Sequence, residues 1–348
     1  MIATFSNFKL IVITLFIAFP FLEIKSQDDC NLILEKAEAL FDQGVIEDIP
    51  ELLSECIIKG FSSEQNIRAK KLIILAYLFD NNTQEAENSM ISFLKDYPEY
   101  QIQSSDPAEF TRLFASFKTF PFISVGAFIG GNISSAILKE QYGTYNLNSG
   151  EGDFAIASPE FQIGAGANFF LTDRLELNVS GIYARNTFLY SNLQYDFAEI
   201  FTKETHQRLE FPVTATFDLT ENKWQPYVSM GISYGIIINA SSHYKRSYVN
   251  TGSSTLKPRE MRYVDISDRR NSSSINGVFG GGVKNKVPGG YLFFDLKYFY
   301  GLSQLVNPDN RWDQETAFTF YHADGDFHLN YFTFSIGYRY SFYKSIKL

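Results

Sequence analysis

The chain has 348 residues and a mass of 39.7 kDa, enough for two domains at roughly 100–200 residues each. Aromatic residues make up 16% and charged residues 20%, with 34 Phe and 21 Tyr, which excludes a disordered chain; a mean hydropathy of −0.13 excludes a polytopic helical membrane protein. A net charge of −9 argues against nucleic acid as a partner, and 2 cysteines are too few for a disulfide-dense scaffold or an all-cysteine metal site.

Residues 1–27 read as a cleaved secretory signal. Lys9 precedes Leu10–Leu22, an apolar run of 13 residues that is too short to span a bilayer comfortably. Cleavage is expected near Ser26–Gln27. The rival reading, a lipoprotein signal at Cys30, lacks apolar and small residues at Gln27, Asp28 and Asp29. The remainder divides near residue 118. Residues 28–117 hold 17 acidic and 7 basic side chains, while residues 118–348 hold 21 of each sign. The apolar spacing changes at the same place, from three and four to two.

Four helices are predicted in the acidic part, at about 30–43, 46–60, 64–80 and 83–97. Leu34, Ala37, Leu40 and Phe41 form one apolar stripe, and Ile49, Leu52, Leu53, Cys56 and Ile57 another. Gly44 and Gly60 are helix stops, and Asn81-Asn82-Thr83 ends one helix and caps the next. Cys30 and Cys56 come level in an antiparallel hairpin, so a disulfide is expected, with two buried thiols as the alternative. The second helix pair resembles a tetratricopeptide repeat in the spacing of Ile73, Tyr77, Ala86 and Pro98, although the bulky aromatic at its start is missing. That resemblance implies docking of a periplasmic or outer-membrane protein through residues 28–117; a packed helical spacer is the plainer reading.

From Pro121 onward eight long runs alternate apolar with polar or small residues. Leu175, Leu177, Val179, Gly181 and Tyr183 oppose Glu176, Asn178, Ser180 and Ala184. Leu209 through Leu219 oppose Arg208, Glu210, Thr214, Thr216 and Asp218, and Phe332 through Phe342 oppose Thr333, Ser335, Gly337, Arg339 and Ser341. The runs are far longer than the usual 5–6 residues of soluble strands. Long connections at 134–154, 191–204, 242–272 and 303–327 alternate with short ones at 172–174, 220–223 and 287–290. Outer-membrane barrels show this loop pattern, with an even strand number and both ends in the periplasm.

On these features residues 118–348 resemble the eight-stranded OmpA/OmpX-type barrel, and more particularly the PorT-like outer-membrane barrels. Phe122–Gly131 is similar to their opening strand and Tyr338–Tyr343 to their closing strand. The expected fold is therefore α+β multidomain: a signal at 1–27, a periplasmic TPR-like helical domain at 28–117, and an eight-stranded antiparallel transmembrane barrel at 118–348 in the bacterial outer membrane.

Eight strands leave an interior that side chains fill. Glu160, Glu176, Glu210, Asp218 and Asp295 are expected inside against Arg185, Arg208, Lys284, Lys297 and Arg339, as a paired network. A basic external loop is expected from Lys245, Arg246, Lys257, Arg259, Arg262, Arg269 and Arg270, either solvated or facing lipopolysaccharide phosphates. His206, His243, His322 and His328 fall at the external rim with Asp196, Asp324, Asp326 and Ser242. His322 with Asp324 is the best catalytic pair among them, and His322-x-Asp324-x-Asp326-x-His328 a loose cation site. Neither is specific enough to commit to, so catalytic residues, metals and cofactors are expected to be none. The reading is a non-enzymatic barrel anchoring an interaction module, with a secretion or envelope-assembly role implied by the PorT-like resemblance. The alternatives are a surface protein binding glycan, lipid or host protein through its long loops, and a rim hydrolase.

Overall fold

Alternating apolar and polar residues give the second part of the chain long strands, and spacings of three and four give the first part helices. The computed structural model describes residues 24–140, 142, 153–194, 198–249, 257–311, 313–320 and 322–348. Most of the expected signal segment, and Asp196, lie outside the described residues. The chain forms two compact units, one of residues up to Phe120 together with Tyr343–Leu348, the other Pro121–Phe342.

The first unit contains α1 (Ile24–Asp42), α2 (Ile49–Ile58), α3 (Ser63–Phe79), α4 (Thr83–Asp96) and α5 (Ala108–Ala115). Gly44 follows α1 at φ +79° and Asn81 follows α3 at φ +56°, the left-handed conformation that ends helices at low cost for these residue types. Ser62 and Gln65 form a reciprocal capping box on α3, and the Asn82 side chain caps α4 by accepting from the Glu85 amide, each satisfying amides that have no intrahelical acceptor. Leu34, Ala37, Ile49, Leu53, Ala69, Leu72 and Ala76 form one core cluster. Ile74, Leu75, Met90, Phe93, Leu94, Phe110 and Phe117 form a second. A disulfide joins Cys30 to Cys56 across 26 residues, with Cα atoms 5.7 Å apart; the chain-entropy model gives such a loop about 3–4 kcal/mol.

Helix α5 is not among the four helices expected, because its 8 residues carry only about two turns of periodicity. It is fixed from outside, by Phe110 set edge-on to Phe93 at 5.7 Å and by the segment before it. There the Asp106 carboxylate accepts from Lys71 Nζ at 2.5 Å, from the Tyr100 hydroxyl at 2.7 Å and from the Gln103 amide at 2.8 Å. Burial alone would raise the Asp106 carboxyl, but these three donors, Lys71 foremost, hold it below its ordinary value. A depressed carboxyl stabilises the fold above its unfolded pKa of about 3.9 and loses that contribution as pH falls through the folded value. Asp106→Asn is therefore expected to lower the stability of the helical unit by roughly 1–3 kcal/mol at pH 7, and the difference from wild type should close below about pH 4. Urea unfolding followed by helical circular dichroism at pH 7 and pH 3 checks this; an equal deficit at both pH values would contradict it.

The second unit is built on one sheet of ten strands: β1 (Phe117–Glu140), β2 (Asp153–Ile156), β3 (Glu160–Phe170), β4 (Leu175–Gln194), β5 (Ala198–Asp218), β6 (Trp224–Tyr248), β7 (Arg259–Asp265), β8 (Ser273–Val287), β9 (Gly290–Gly301) and β10 (Asp326–Lys347). Their order is β2-β4-β3-β1-β10-β9-β8-β6-β5, with β7 paired to β6 and an additional ladder between β4 and β5. Eight strands correspond to the expected runs. The other two are short: β2, against the end of β4, straddles the end of the expected 134–154 connection, and β7, against the end of β6, lies inside the 242–272 one.

One face of the sheet is apolar and exposed. In β10 it carries Phe332, Phe334, Ile336, Tyr338, Tyr340 and Phe342; at ~3.3 Å per residue and a tilt of about 40° these cover roughly 25 Å, the height of an outer-membrane apolar band. The other face is buried and carries polar side chains interleaved with apolar clusters that include Phe128, Phe293 and Phe299. β5 shows the pattern without interruption, with every even residue from Ala198 to Asp218 buried.

The connections differ from expectation at one end. Residues 191–204 and the first part of 242–272 are mostly strand, since β4 and β5 pair from Leu175↔Phe217 up to Gln194↔Ala198. The outward residues of this stretch mix Glu199, Lys203 and Gln207 with Leu193 and Phe201, so hydrophobic alternation becomes irregular while the strand continues. A bulge in the β5–β6 ladder at Gln207/Arg208 leaves Ile238 unpaired and turns Ala240, Ser242 and Tyr244 inward, a shift of face that one extra residue enforces.

A charged inner face and the candidate site at its mouth

Three groups of buried charges lie along the inner face. Near the short turns Lys284 Nζ donates to Glu176 at 2.5 Å and to Asp218 at 2.8 Å. Asn168 donates to Glu176 at 2.5 Å and to the Tyr291 hydroxyl at 2.9 Å. Asp295 pairs with Lys297 at 2.9 Å. The Arg339 guanidinium lies 5.1 Å from the Phe293 ring and donates to the Asn178 carbonyl at 2.7 Å when that amide is turned to face it. Asn168, Lys284, Tyr291, Asp295, Lys297 and Arg339 are among the residues lining a cavity of about 270 Å³ including the space open to solvent.

The middle group is Arg208 with Glu210 at 2.7 Å. Arg208 also donates to Ser274 at 2.5 Å, and Glu210 accepts from Ser233 at 2.7 Å. Gly235 makes room for the pair, since a Cβ there would sit 2.4 Å from a Glu210 oxygen.

Toward the long connections the third group has Arg270 at its centre. Its guanidinium donates twice to Glu204, at 2.6 and 2.7 Å, and once to Asp324 at 2.7 Å. His206 Nε2 lies 2.5 Å from Glu204 and His322 Nε2 3.1 Å from Asp324. Burial would raise the Asp324 carboxyl, but Arg270 and then His322 hold it well below the usual carboxylate range. Arg269, next in chain, pairs with Asp313 and donates to Thr316 at 3.1 Å at the start of the short helix α6 (Gln314–Phe320).

The expected inner charges thus separate into local sets. Glu176, Asp218 and Lys284 meet, as do Glu210 with Arg208 and Asp295 with Lys297. Arg185 is a correction: its side chain is 45% exposed and reaches a half-buried Glu160 only at 3.6 Å, because it shares strand parity with outward Tyr183. Arg269 and Arg270 are a second correction. They are expected in an external basic loop, either solvated or facing lipopolysaccharide phosphates, but they are 6% and 3% exposed, drawn inward by Asp313, Glu204 and Asp324. Lys245, Lys257, Arg259 and Arg262 are exposed, and Arg246 is half-buried over the Tyr248 ring at 5.2 Å. The inward march of Glu204, His206, Arg208 and Glu210 along β5 carried the missed signal.

The histidines do not converge. His243 lies 2.7 Å from Glu260 on the outward side, and His328 Nδ1 lies 2.8 Å from the Gly301 carbonyl. Asp326 pairs with Arg311 at 3.0 Å, so the four-residue run His322 to His328 is not gathered. Among the described residues no three His, Cys, Asp or Glu side chains are placed to hold a metal. His322 and Asp324 do meet, on the wall of a cavity of about 350 Å³ including space open to solvent. Leu138, Phe154, Phe188, Tyr190, Thr202, Glu204, Gly325 and Phe327 complete its lining. Among these described residues there is a threonine but neither serine nor cysteine.

A scan against family models matches residues 103–307 to the outer membrane protein beta-barrel domain. Among solved structures, Neisserial surface protein A is 15% identical, with 63% of this chain and 97% of that one covered at a TM-score of 0.31. The attachment invasion locus protein Ail of Yersinia pestis is 13% identical, over 64% and 100%, at 0.27. The outer membrane protease OmpT of Escherichia coli is 10% identical, over 65% and 98%, at 0.33. A search of curated proteins finds no match. With the family model covering more than half of the chain, an outward apolar face and a polar inner one, the chain belongs to the outer membrane protein β-barrel family and is a β-barrel protein of the bacterial outer membrane.

Proposed function

We propose that this protein is a non-enzymatic outer-membrane anchor whose eight-stranded barrel holds a helical protein-docking module on the periplasmic side. The observation that carries this reading is the filling of the inner face by paired charges, Lys284 with Glu176 and Asp218, and Arg208 with Glu210. A barrel so occupied is a plug rather than a pore, which leaves anchoring as its service to the rest of the chain. The β4–β5 ladder supports a closed wall of eight strands, with β2 and β7 as additions beyond it. The docking module is TPR-like, a packed helical array with apolar side chains left outside its cores, among them Leu32, Ile58 and Phe79. The PorT-like resemblance points to a secretion or envelope-assembly machine as the class of partner. The exposed Lys245, Lys257, Arg259 and Arg262 face lipopolysaccharide phosphates, where charge-assisted bonds favour basic side chains.

The test is crosslinking of the native protein in outer membranes, with crosslinked residues mapped by mass spectrometry. The expected result is a stoichiometric protein partner joined to residues 28–117 and lost when those residues are deleted from a barrel that still folds. Recovery of the same partner by the deleted form would overturn the docking role.

A further inference from the structure

The wall built by β5, β6 and β7 continues past the apolar band, and its outer surface there has a chemistry that anchoring does not need. We propose that this surface binds the phosphorylated sugars of lipopolysaccharide in the same leaflet, with Tyr263 as the platform on which a sugar ring stacks. The site gives a place to the lipopolysaccharide contact named above, and it rests on the external placement of the long connections.

Tyr263 has φ +60°, a left-handed conformation in which a bulky side chain is an outlier. Asn81, the other non-glycine residue with positive φ among the described residues, is of a type that tolerates it. The cause lies in the β6–β7 ladder, where Ser242 faces Val264 and Tyr244 faces Met261. His243 alone is thus set against both Arg262 and Tyr263, a bulge of the kind that re-aims a side chain. The tyrosine is 85% exposed, a large apolar surface left in water. Strain kept at an exposed aromatic residue points to function, and the C–H face of a sugar ring is the apolar complement of such a platform.

Charge selects the kind of sugar. From Lys245 to Asp265 the chain holds Lys245, Arg246, Lys257, Arg259 and Arg262 against Glu260 and Asp265. The Glu260 carboxylate accepts from Arg262 at 2.7 Å and lies 2.7 Å from His243. Lys203 of β5 adds a further cation beside this group, since it is paired with His243 and paired residues share a face; Glu199 follows it further out. The excess is basic, and phosphate is the anion that Lys and Arg hold through charge-assisted bonds. Height selects the source. The unbroken apolar run of β5 ends at Leu209, and at ~3.3 Å per residue and a tilt of about 40° Lys203 stands roughly 15 Å beyond it. Side chains pointing sideways from the barrel at that level meet the sugars and phosphates of neighbouring lipopolysaccharide, not a ligand arriving from solution.

The experiment titrates the full-length protein, in phosphatidylcholine nanodiscs free of lipopolysaccharide, with three probes. They are delipidated phosphorylated core oligosaccharide, the same oligosaccharide after dephosphorylation, and neutral maltoheptaose. Saturable binding of the first is expected, about tenfold weaker binding of the second, and none of the third. Tyr263→Gly should weaken binding about five- to tenfold while the folded form on unboiled gels survives to at least the wild-type temperature, because glycine adopts the left-handed conformation freely. Tyr263→Phe, which keeps the ring, should bind within about twofold of wild type. Lys203→Gln with Lys245→Gln should remove the preference for the phosphorylated probe. Equal binding of maltoheptaose, no binding of the phosphorylated probe, or wild-type binding by Tyr263→Gly would overturn the proposal. So would a Tyr263→Gly barrel of lower heat resistance, which would make the tyrosine a structural residue. Both faces of a nanodisc are open to the probes, so failure here is distinct from a wrong placement of the long connections.

Discussion

Replacing Lys284 with Met is expected to destabilise the barrel unit by about 3–5 kcal/mol, the usual result of removing one partner from a buried ion pair. Lys284 is 3% exposed, and the two carboxylates it serves, Glu176 and Asp218, are 1% and 3% exposed. Methionine fills the space of the lysine stem but leaves both acids without the ammonium they share. They must then take up a proton or water, and either weakens the fold. The checking measurement is the temperature or urea concentration at which the fast-migrating folded form disappears on unboiled gels. Combining Lys284→Met with Glu176→Gln and Asp218→Asn should restore most of the loss, since apolar or neutral replacement of a whole buried pair is often nearly neutral. A Lys284→Met protein as stable as wild type would mean that water already fills this end of the inner face.

Arg270→Met should have an effect of similar size, about 3–5 kcal/mol by the same reasoning, but a local one. The guanidinium is bonded to Glu204 and Asp324 and lies 5.3 Å from the Phe327 ring, so it ties the segment after β7 to β5 and to the approach of β10. Without it, residues 257–272 should become sensitive to protease while the strands stay resistant. Limited proteolysis of the variant in nanodiscs, read by intact mass, distinguishes this from global unfolding. Unchanged resistance in that segment would show that the mouth is held by its aromatic cluster alone.

The long strands were legible because both faces of each strand announce themselves where one meets lipid and the other a filled interior. Phe332 to Phe342 in β10 and Leu209 to Leu219 in β5 are of that kind. Legibility stopped where Glu199, Lys203 and Gln207 interrupted the apolar outward face between residues such as Leu193 and Phe201, so the upper β4–β5 strands read as a loop although Thr202, Glu204 and His206 still point inward. Arg185 was misplaced because its charge outweighed its parity in the reading. Arg269 and Arg270 were misplaced for a different reason. Their sequence neighbours are polar, and only the distant Glu204, Asp313 and Asp324 draw them inside, a long-range pairing no local pattern encodes. In the helical unit, α5 was missed because its position is set by Phe93 and Asp106 rather than by its own short periodicity.

Protease added to intact cells measures directly which side of the membrane each part of the chain occupies. With a specific cleavage site inserted in residues 249–258 and another between α2 and α3, the first is predicted to be cut from outside. The second should be cut only after the outer membrane is permeabilised. Cleavage between α2 and α3 on intact cells would place the helical module outside and contradict the account.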